Sequence, residues 1–289
     1  MYAAKRAGGN QLDTFDPKRH RAADPTGLLS DLRAALDRGE MRLHYQPKVC
    51  GRTGRVRGLE ALLRWQHPTR GMVPPMSFIP LAEAHGLIVP IGYWVLDEAC
   101  RQVAAWTDRG RRLHVAVNIS AVQVRQRDFI DRIAAKIQRH AIDPSLLICE
   151  FTESVAMDDV QRTQQVIDQL SAMGVRTSFD DFGTGHSSLA MLRQLGAHEL
   201  KIDRLFVKDV ATNTQARGVV QAVVQLAHVL GKRVVAEGVE TAEQRDVLVA
   251  LGCDELQGFF FARPMAPEKL IDDEATAPVP FSPSTFVEA

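Results

Sequence analysis

"LLICEFTESVAMDDVQRTQQVIDQLSAMGVRTSFDDF", from Leu146 to Phe182, holds one full period of the chain. It opens on a short apolar run, passes into an amphipathic helical pattern that stops at Gly174, and ends on a second apolar run. Short runs of this kind read as buried strands, and a glycine just past the last periodic residue reads as a helix end. Each strand run carries a carboxylate, Glu150 in the first and Asp180 in the second, with Asp181 directly after. Two like charges 4 Å apart at an effective dielectric near 20 repel by about 4 kcal/mol. A strand end with two adjacent aspartates therefore needs positive charge close by.

The same unit recurs on both sides. Strand candidates are "MRLHYQPKV", "VRGLEALLRW", "LHVAVNIS", "LLICEFTES", "VRTSFDDF", "ELKIDRLFV", "RVVAEGV" and "ELQGFFFARP". Between them lie helical patterns such as "IGYWVLDEACRQVAAWTDRG", "DFIDRIAAKIQRH" and "ARGVVQAVVQLAHVLG". Eight strands alternating with helices over about 250 residues predict an α/β fold, a TIM-type (β/α)8 barrel. A doubly wound sheet fits less well, because no strand runs into a G-x-G-x-x-G turn. The barrel is expected over residues 26–272, opening on "TGLLSDLRAALDRGE" with Thr26 or Ser30 as the helix cap. Residues 1–25 are a short basic segment or linker. Residues 273–289, rich in Pro, Ser and Ala, read as a disordered tail.

Composition narrows the function classes. Of 289 residues, 45% are hydrophobic and 24% charged, and 35 Lys plus Arg balance 35 Asp plus Glu. Such a chain has no global field to attract a nucleic-acid polymer or an acidic membrane. Cys50, Cys100, Cys149 and Cys253 are scattered without C-x-x-C spacing, which speaks for buried free thiols in a reducing compartment. No apolar run reaches membrane-spanning length and the start lacks a signal-peptide core, so the expected location is cytoplasmic.

Polar residues interrupt the apolar strands at regular places. Glu60 comes first; then Asn118, Glu150, Asp180, Lys201, Glu237 and Gln257 follow one another at intervals of 32, 30, 21, 36 and 20 residues. These are the lengths of strand-plus-helix units, so each unit delivers one polar group to the same level of a barrel, whose active sites lie at the C-terminal strand ends. Singly, each has an ordinary explanation in a salt bridge or a turn. The "DFG" triplet at Asp181 does not make a kinase, which would also need a glycine-rich loop and an H-R-D motif. Together, five buried carboxylates cannot stay ionised without compensation. Hard oxygen ligands select Mg²⁺ or Mn²⁺ over zinc. Five negative charges against two divalent ions and Lys201 sum to about zero, which predicts two metals with Asp180 bridging. A salt-bridge network would need several cations, and Lys201 is the only one embedded in these motifs. Paired metals form a clamp for phosphoryl or phosphodiester displacement, and the glycines of "GTGHSS" would let the loop after Asp181 gate it.

"YQPKV", "GLEALLRWQHP", "FIPLAEAHGLIVPIGYWVLDEAC", "VNIS", "FTES", "SFDDFGTGHSSL", "LKIDRLFV", "VVAEGVET" and "QGFFFARP", in this order, resemble the EAL-domain family of bacterial cyclic-di-GMP phosphodiesterases from about Gly27 to Glu268. The resemblance implies a barrel whose first strand runs antiparallel. It implies Glu60, Asn118, Glu150 and Asp180 around one metal, and Asp180, Asp181 and Glu237 around the other. Lys201 would hold the reactive water or a phosphate oxygen, with Glu237 as a possible base. Glu153 and Glu240 match supporting glutamates, Glu153 anchoring the loop after Asp181. Gln46, Leu62, Arg64 and Gln257 match substrate contacts; a guanidinium at position 64 also suits bidentate contact with a phosphate or guanine edge. His186, Phe259 and Phe260 depart from the family's frequent tyrosines without removing a ligand, and His186 reads as a loop residue. "MYAAKRAGGNQLDTFD" resembles the end of a GGDEF domain, so a GGDEF or sensory domain, with any membrane anchor, is expected upstream.

The expected activity is metal-dependent hydrolysis of cyclic-di-GMP to linear pGpG. The alternatives are a non-catalytic cyclic-di-GMP receptor and an unrelated barrel metalloenzyme acting on small carbon acids; the motif order disfavours the latter. A homodimer is expected through "GHSSLAMLRQLG" and "ARGVVQAVVQLAHVL", whose apolar faces exceed one core stripe.

Overall fold

The computed structural model describes residues 25–182 and 196–270. The expected linker (apart from Pro25), the "GTGHSS" loop with His186, nearly all of "GHSSLAMLRQLG" and the tail lie outside the described residues. The strands are β1 (Met41–Cys50), β2 (Val56–His67), β3 (Gly71–Val73), β4 (His114–Ile119), β5 (Leu147–Thr152), β6 (Arg176–Phe182), β7 (Glu199–Ile202), β8 (Arg233–Ala236) and β9 (Glu255–Leu256). Their pairing order is β1-β9-β8-β7-β6-β5-β4-β2-β3, and β1 also pairs with β2, so eight strands close a ring and β3 hangs outside it.

β1 runs antiparallel to both its neighbours, while β2 and β4 to β9 run parallel to one another. The barrel is the TIM type, with the reversed first strand that the resemblance implied. Strict strand–helix alternation fails at the start of the barrel, where β1, β2 and β3 follow one another without a helix. β1 and β2 form a hairpin, because the five residues Gly51–Arg55 are enough to reverse a chain and too few for a crossover helix. The expected cap at Thr26 or Ser30 is also corrected. The helix runs Pro25–Ala34 and contains both residues; proline suits a first helical position, whose N–H has no partner anyway.

Elsewhere local chemistry sets the boundaries. Thr152 caps the helix Glu153–Asp158 and Asp159 caps Val160–Ala172, each accepting from a backbone N–H two or three residues inside. Gly174, at φ +84°, makes the left-handed exit into β6 that a side chain would resist. The outward faces of the strands and the inward faces of the helices share one core, with Phe151, Phe179, Val166, Ile167 and Leu170 all buried. Fully burying a side chain of this size stabilises the fold by roughly 1.5–3 kcal/mol. All four cysteines are buried and free. Among the described residues no helix is long and apolar enough to cross a membrane.

The lower end of the barrel carries a half-buried imidazole. His114 Nδ1 lies 3.1 Å from Ser145 O, and its Nε2 lies 3.3 Å from Arg176 Nη1. Burial, helped by the Arg176 charge, lowers this histidine from 6.5 to about 4. The unfolded chain then takes up the proton first as pH falls, so stability present above about pH 6.5 drains away down to about pH 4. Urea unfolding of His114→Gln should show a flatter acid limb than the parent; superimposable limbs would contradict the assignment.

Candidate active site

Inside a barrel, residues two apart on a strand share the lumen face. Gln46 and Lys48 on β1, Glu60 on β2, Asn118 on β4, Glu150 on β5, Asp180 on β6, Glu199 and Lys201 on β7, and Glu255 with Gln257 at β9 converge there. Parallel neighbours are in register, Asn118 beside Glu150 and Glu150 beside Ser178, which levels the polar groups.

Lys201 is the hub. Its ammonium, 1% exposed, lies 2.6 Å from Glu237 Oε1, 2.9 Å from Glu150 Oε2, 3.0 Å from Asp180 Oδ2 and 3.7 Å from Glu60 Oε2. Glu60, Glu150 and Asp180 each offer an oxygen within 4.8 Å of the others. Asn118 Nδ2 donates to Glu60 Oε1 at 2.8 Å, and Gln257 Nε2 donates to Glu60 Oε2 at 2.7 Å. Gln257 Nε2 also reaches Gln46 Oε1 at 3.1 Å, while Gln46 Nε2 donates to Ala262 O at 3.0 Å. Two amides thus brace Glu60 from both sides.

The charges pull the acids apart in protonation. Burial pushes Glu60 up, with Glu150 and Asp180 adding to the rise and Lys201 opposing it. Burial drives Glu237 well above the carboxylate range. Glu150 is buried too, yet the ammoniums of Lys201 and Lys48 overcome that and hold it at about 2. The same acids raise Lys201 far above its ordinary value, against its own burial. This gradient of proton affinity within one cluster is the electrostatic mark of a functional site.

Asp181 departs from strand geometry. Its φ is +58°, and the pairing of β6 with β7 shifts register between Phe179 and Phe182. Alternation alone would send Asp180 and Asp181 to opposite faces; the irregularity and left-handed backbone break that rule. Asp181 N donates to Asp180 Oδ1 at 2.9 Å, and burial followed by the charges of Asp180 and Asp203 raises the Asp181 carboxyl to about 6.

The other expected residues are less tightly gathered. Gln46, Glu60, Leu62, Glu237, Glu240 and Gln257 line a cavity of about 180 Å³. Glu240 stands exposed at its rim, and Glu153 is buried where β5 passes into the next helix. The Arg64 guanidinium donates to Leu63 O at 2.9 Å, outside the acidic cluster.

Sequence reasoning missed several neighbours. Asp203 lies beside Asp181, and Arg204 and Phe259 line the cavity. Gly238, at φ +71°, lets Arg204 approach so closely that a Cβ there would sit 2.4 Å from the arginine's own Cβ. Lys201 is also not the only embedded cation. Lys48, equally buried, lies 2.7 Å from Glu150 Oε1 and 3.2 Å from Glu199 Oε1. Reading two residues along each strand from Gln46 and Lys201 would have found Lys48 and Glu199.

The EAL domain model matches residues 29–264. The chain belongs to the EAL domain family. It is 48% identical over 273 residues to the "Bifunctional diguanylate cyclase/cyclic di-GMP phosphodiesterase MucR" of Pseudomonas aeruginosa, covering 94% of this chain and 40% of that protein. It is 41% identical over 266 residues to the "Cyclic di-GMP phosphodiesterase PdeR" of Escherichia coli, covering 92% and 40%. The chain therefore spans about two-fifths of the length of these curated relatives. Among solved structures, "PaMucR Phosphodiesterase, c-di-GMP complex" superposes with a TM-score of 0.82 at 50% identity, covering 85% of this EAL chain and all of that one. The FimX EAL domain of Xanthomonas citri, solved with c-diGMP, has a TM-score of 0.78 at 26% identity, covering 86% and 97%.

The donor set of this EAL domain fits a hard divalent cation. It consists of carboxylate oxygens converging on one point, with no cysteine or histidine among them. Removing the ammonium from the cluster should therefore be costly and ion-sensitive. Lys201→Met is expected to lose about 3–5 kcal/mol of stability in metal-free urea unfolding, with part regained when Mn²⁺ is added. Stability independent of Mn²⁺ would contradict this.

Proposed function

We propose that the chain hydrolyses cyclic-di-GMP to linear pGpG with Mg²⁺ or Mn²⁺, two ions per site. The observation that carries the reading is the convergence of Glu60, Glu150, Asp180 and Glu237 on a single buried ammonium, in a barrel half identical to a phosphodiesterase solved with c-di-GMP. Glu60, Asn118, Glu150 and Asp180 would hold one ion, and Asp180, Asp181 and Glu237 the other. Bound there, the ions would supply Lewis-acid activation of water and neutralise developing charge.

The remaining work falls to the chain itself. Lys201 Nζ sits where it can neutralise a phosphate oxygen that enters among the acids. Glu237, with its raised proton affinity and 2.6 Å from that ammonium, can accept a proton at Oε1 and return it. Gln46, Leu62 and Gln257 border the cavity and would orient the dinucleotide, with Arg64 reaching a phosphate or base edge. Glu153 would anchor the loop after Asp181, and Glu240 would support the rim.

Glu60→Ala removes the acid that Asn118 and Gln257 brace. With excess Mg²⁺ or Mn²⁺, chromatography of the products should show turnover to pGpG reduced at least about 100-fold in a protein with parental circular dichroism. Unchanged turnover would refute the reading, and tight binding of cyclic-di-GMP by the unaltered chain without product would favour a receptor.

The reading includes a homodimer. Val219 and Val229 on the helix Thr214–Val229 are 45% and 84% exposed while Val220, Val224 and Ala227 are buried, which leaves a second apolar face. Sedimentation at micromolar concentration should give the mass of two chains; a monomer would overturn this part. An upstream GGDEF-like or sensory domain is likewise part of the proposal.

A further inference from the structure

Below the acidic cluster lies a second polar layer that the proposed chemistry does not use. Lys48 Nζ contacts Glu150 and Glu199, and Arg233 bridges Glu199 at 3.4 Å and Glu255 at 3.3 Å. Two cations face two anions in this layer, apart from Glu150, so its charge is closed. Lys48 is its one member that reaches up into the cluster. It does so at a defect: the β1–β2 register shifts between Lys48 and Val49, and such bulges re-aim side chains next to active sites.

The two oxygens of Glu150 are thereby divided. Oε1 is held from below by Lys48 at 2.7 Å, and Oε2 lies 2.9 Å from Lys201, the ammonium that Asp180 Oδ2 and Glu60 Oε2 also approach, at 3.0 and 3.7 Å. Glu150 itself is fully buried, so water does not compete for either oxygen. We propose that Lys48 is a positioning residue, fixing Glu150 so that one oxygen stays with the protein and the other stays presented to the cation pocket. The inference rests on the metal-dependent reading above. It gives the lower layer a purpose beyond stability: the lysine holds the ligand, while Glu199, itself bridged by Arg233, balances the lysine's charge from below.

A lysine that merely staples the barrel would affect unfolding alone, so the test reads metal affinity. Isothermal titration with Mn²⁺ is compared for the parent, Lys48→Met, Glu199→Gln and the double variant K48M/E199Q. The double variant removes one cation and one anion together and guards against misfolding from an unpaired charge. Groups that orient metal ligands typically contribute 10–100-fold in affinity. Lys48→Met and the double variant should both bind Mn²⁺ about 10–100-fold more weakly, while Glu199→Gln, which keeps the Lys48–Glu150 contact, stays within about threefold.

Parental affinity in both Lys48 variants would overturn the proposal, as would an equal loss in Glu199→Gln. If the unaltered chain binds Mn²⁺ but yields no pGpG, the phosphodiesterase reading falls and this one stands. If the unaltered chain binds no Mn²⁺, both fall.

Discussion

One buried ammonium surrounded by four carboxylates sets the terms for the rest of the barrel. Lys201 cannot neutralise Glu60, Glu150, Asp180 and Glu237 together, and its failure to do so shows in the proton affinities. Glu150, which has a second ammonium beneath it, stays strongly acidic, whereas Glu60 and Glu237, which lack one, are driven upward. A lumen filled with aliphatic side chains, as in most barrels of this type, would avoid the cost. This barrel instead keeps surplus negative charge where little water reaches it, and that surplus is what a divalent cation would bind. Fold and chemistry are joined through that uncompensated charge.

How far the sequence disclosed this depended on where each residue sits along its strand. Glu150, Asp180, Lys201 and Glu237 were readable because every parallel unit repeats strand, helix and strand, so a polar interruption returns at the same height. Glu60 and Asn118 stood out for the same reason, an acid and an amide inside apolar runs. The lower layer did not stand out. Glu199 in "HELKID" and Glu255 in "CDELQ" lie at strand entries, where a charged residue normally faces water. Lys48 follows a proline and looks like the end of a strand. Only closure of the ring brings these three charges together with Arg233.

Asp203 was hidden for a different reason. It caps the short helix Arg204–Val207, accepting from Leu205 N at 2.8 Å, and an aspartate ahead of a helix reads as nothing more than a cap. The backbone of Asp181 was equally out of reach, since alternation forecasts opposite faces for consecutive residues and says nothing of a left-handed φ. The hairpin between β1 and β2 escaped the strand–helix count because the two runs are as apolar as the others. Turn length, not composition, decides that connection.

The reversal of β1 changes the end of the barrel at which the chain enters. In a barrel of uniform direction the first strand would be entered from the floor, remote from the chemistry. Here Met41 pairs with Trp65, near the upper end of β2, so the chain descends from the rim. The helix Pro25–Ala34 leads directly into that descent and packs against Pro75–Ala84 beside it. The chain therefore meets the acidic mouth first, passing Gln46 and then Lys48 before it reaches the base.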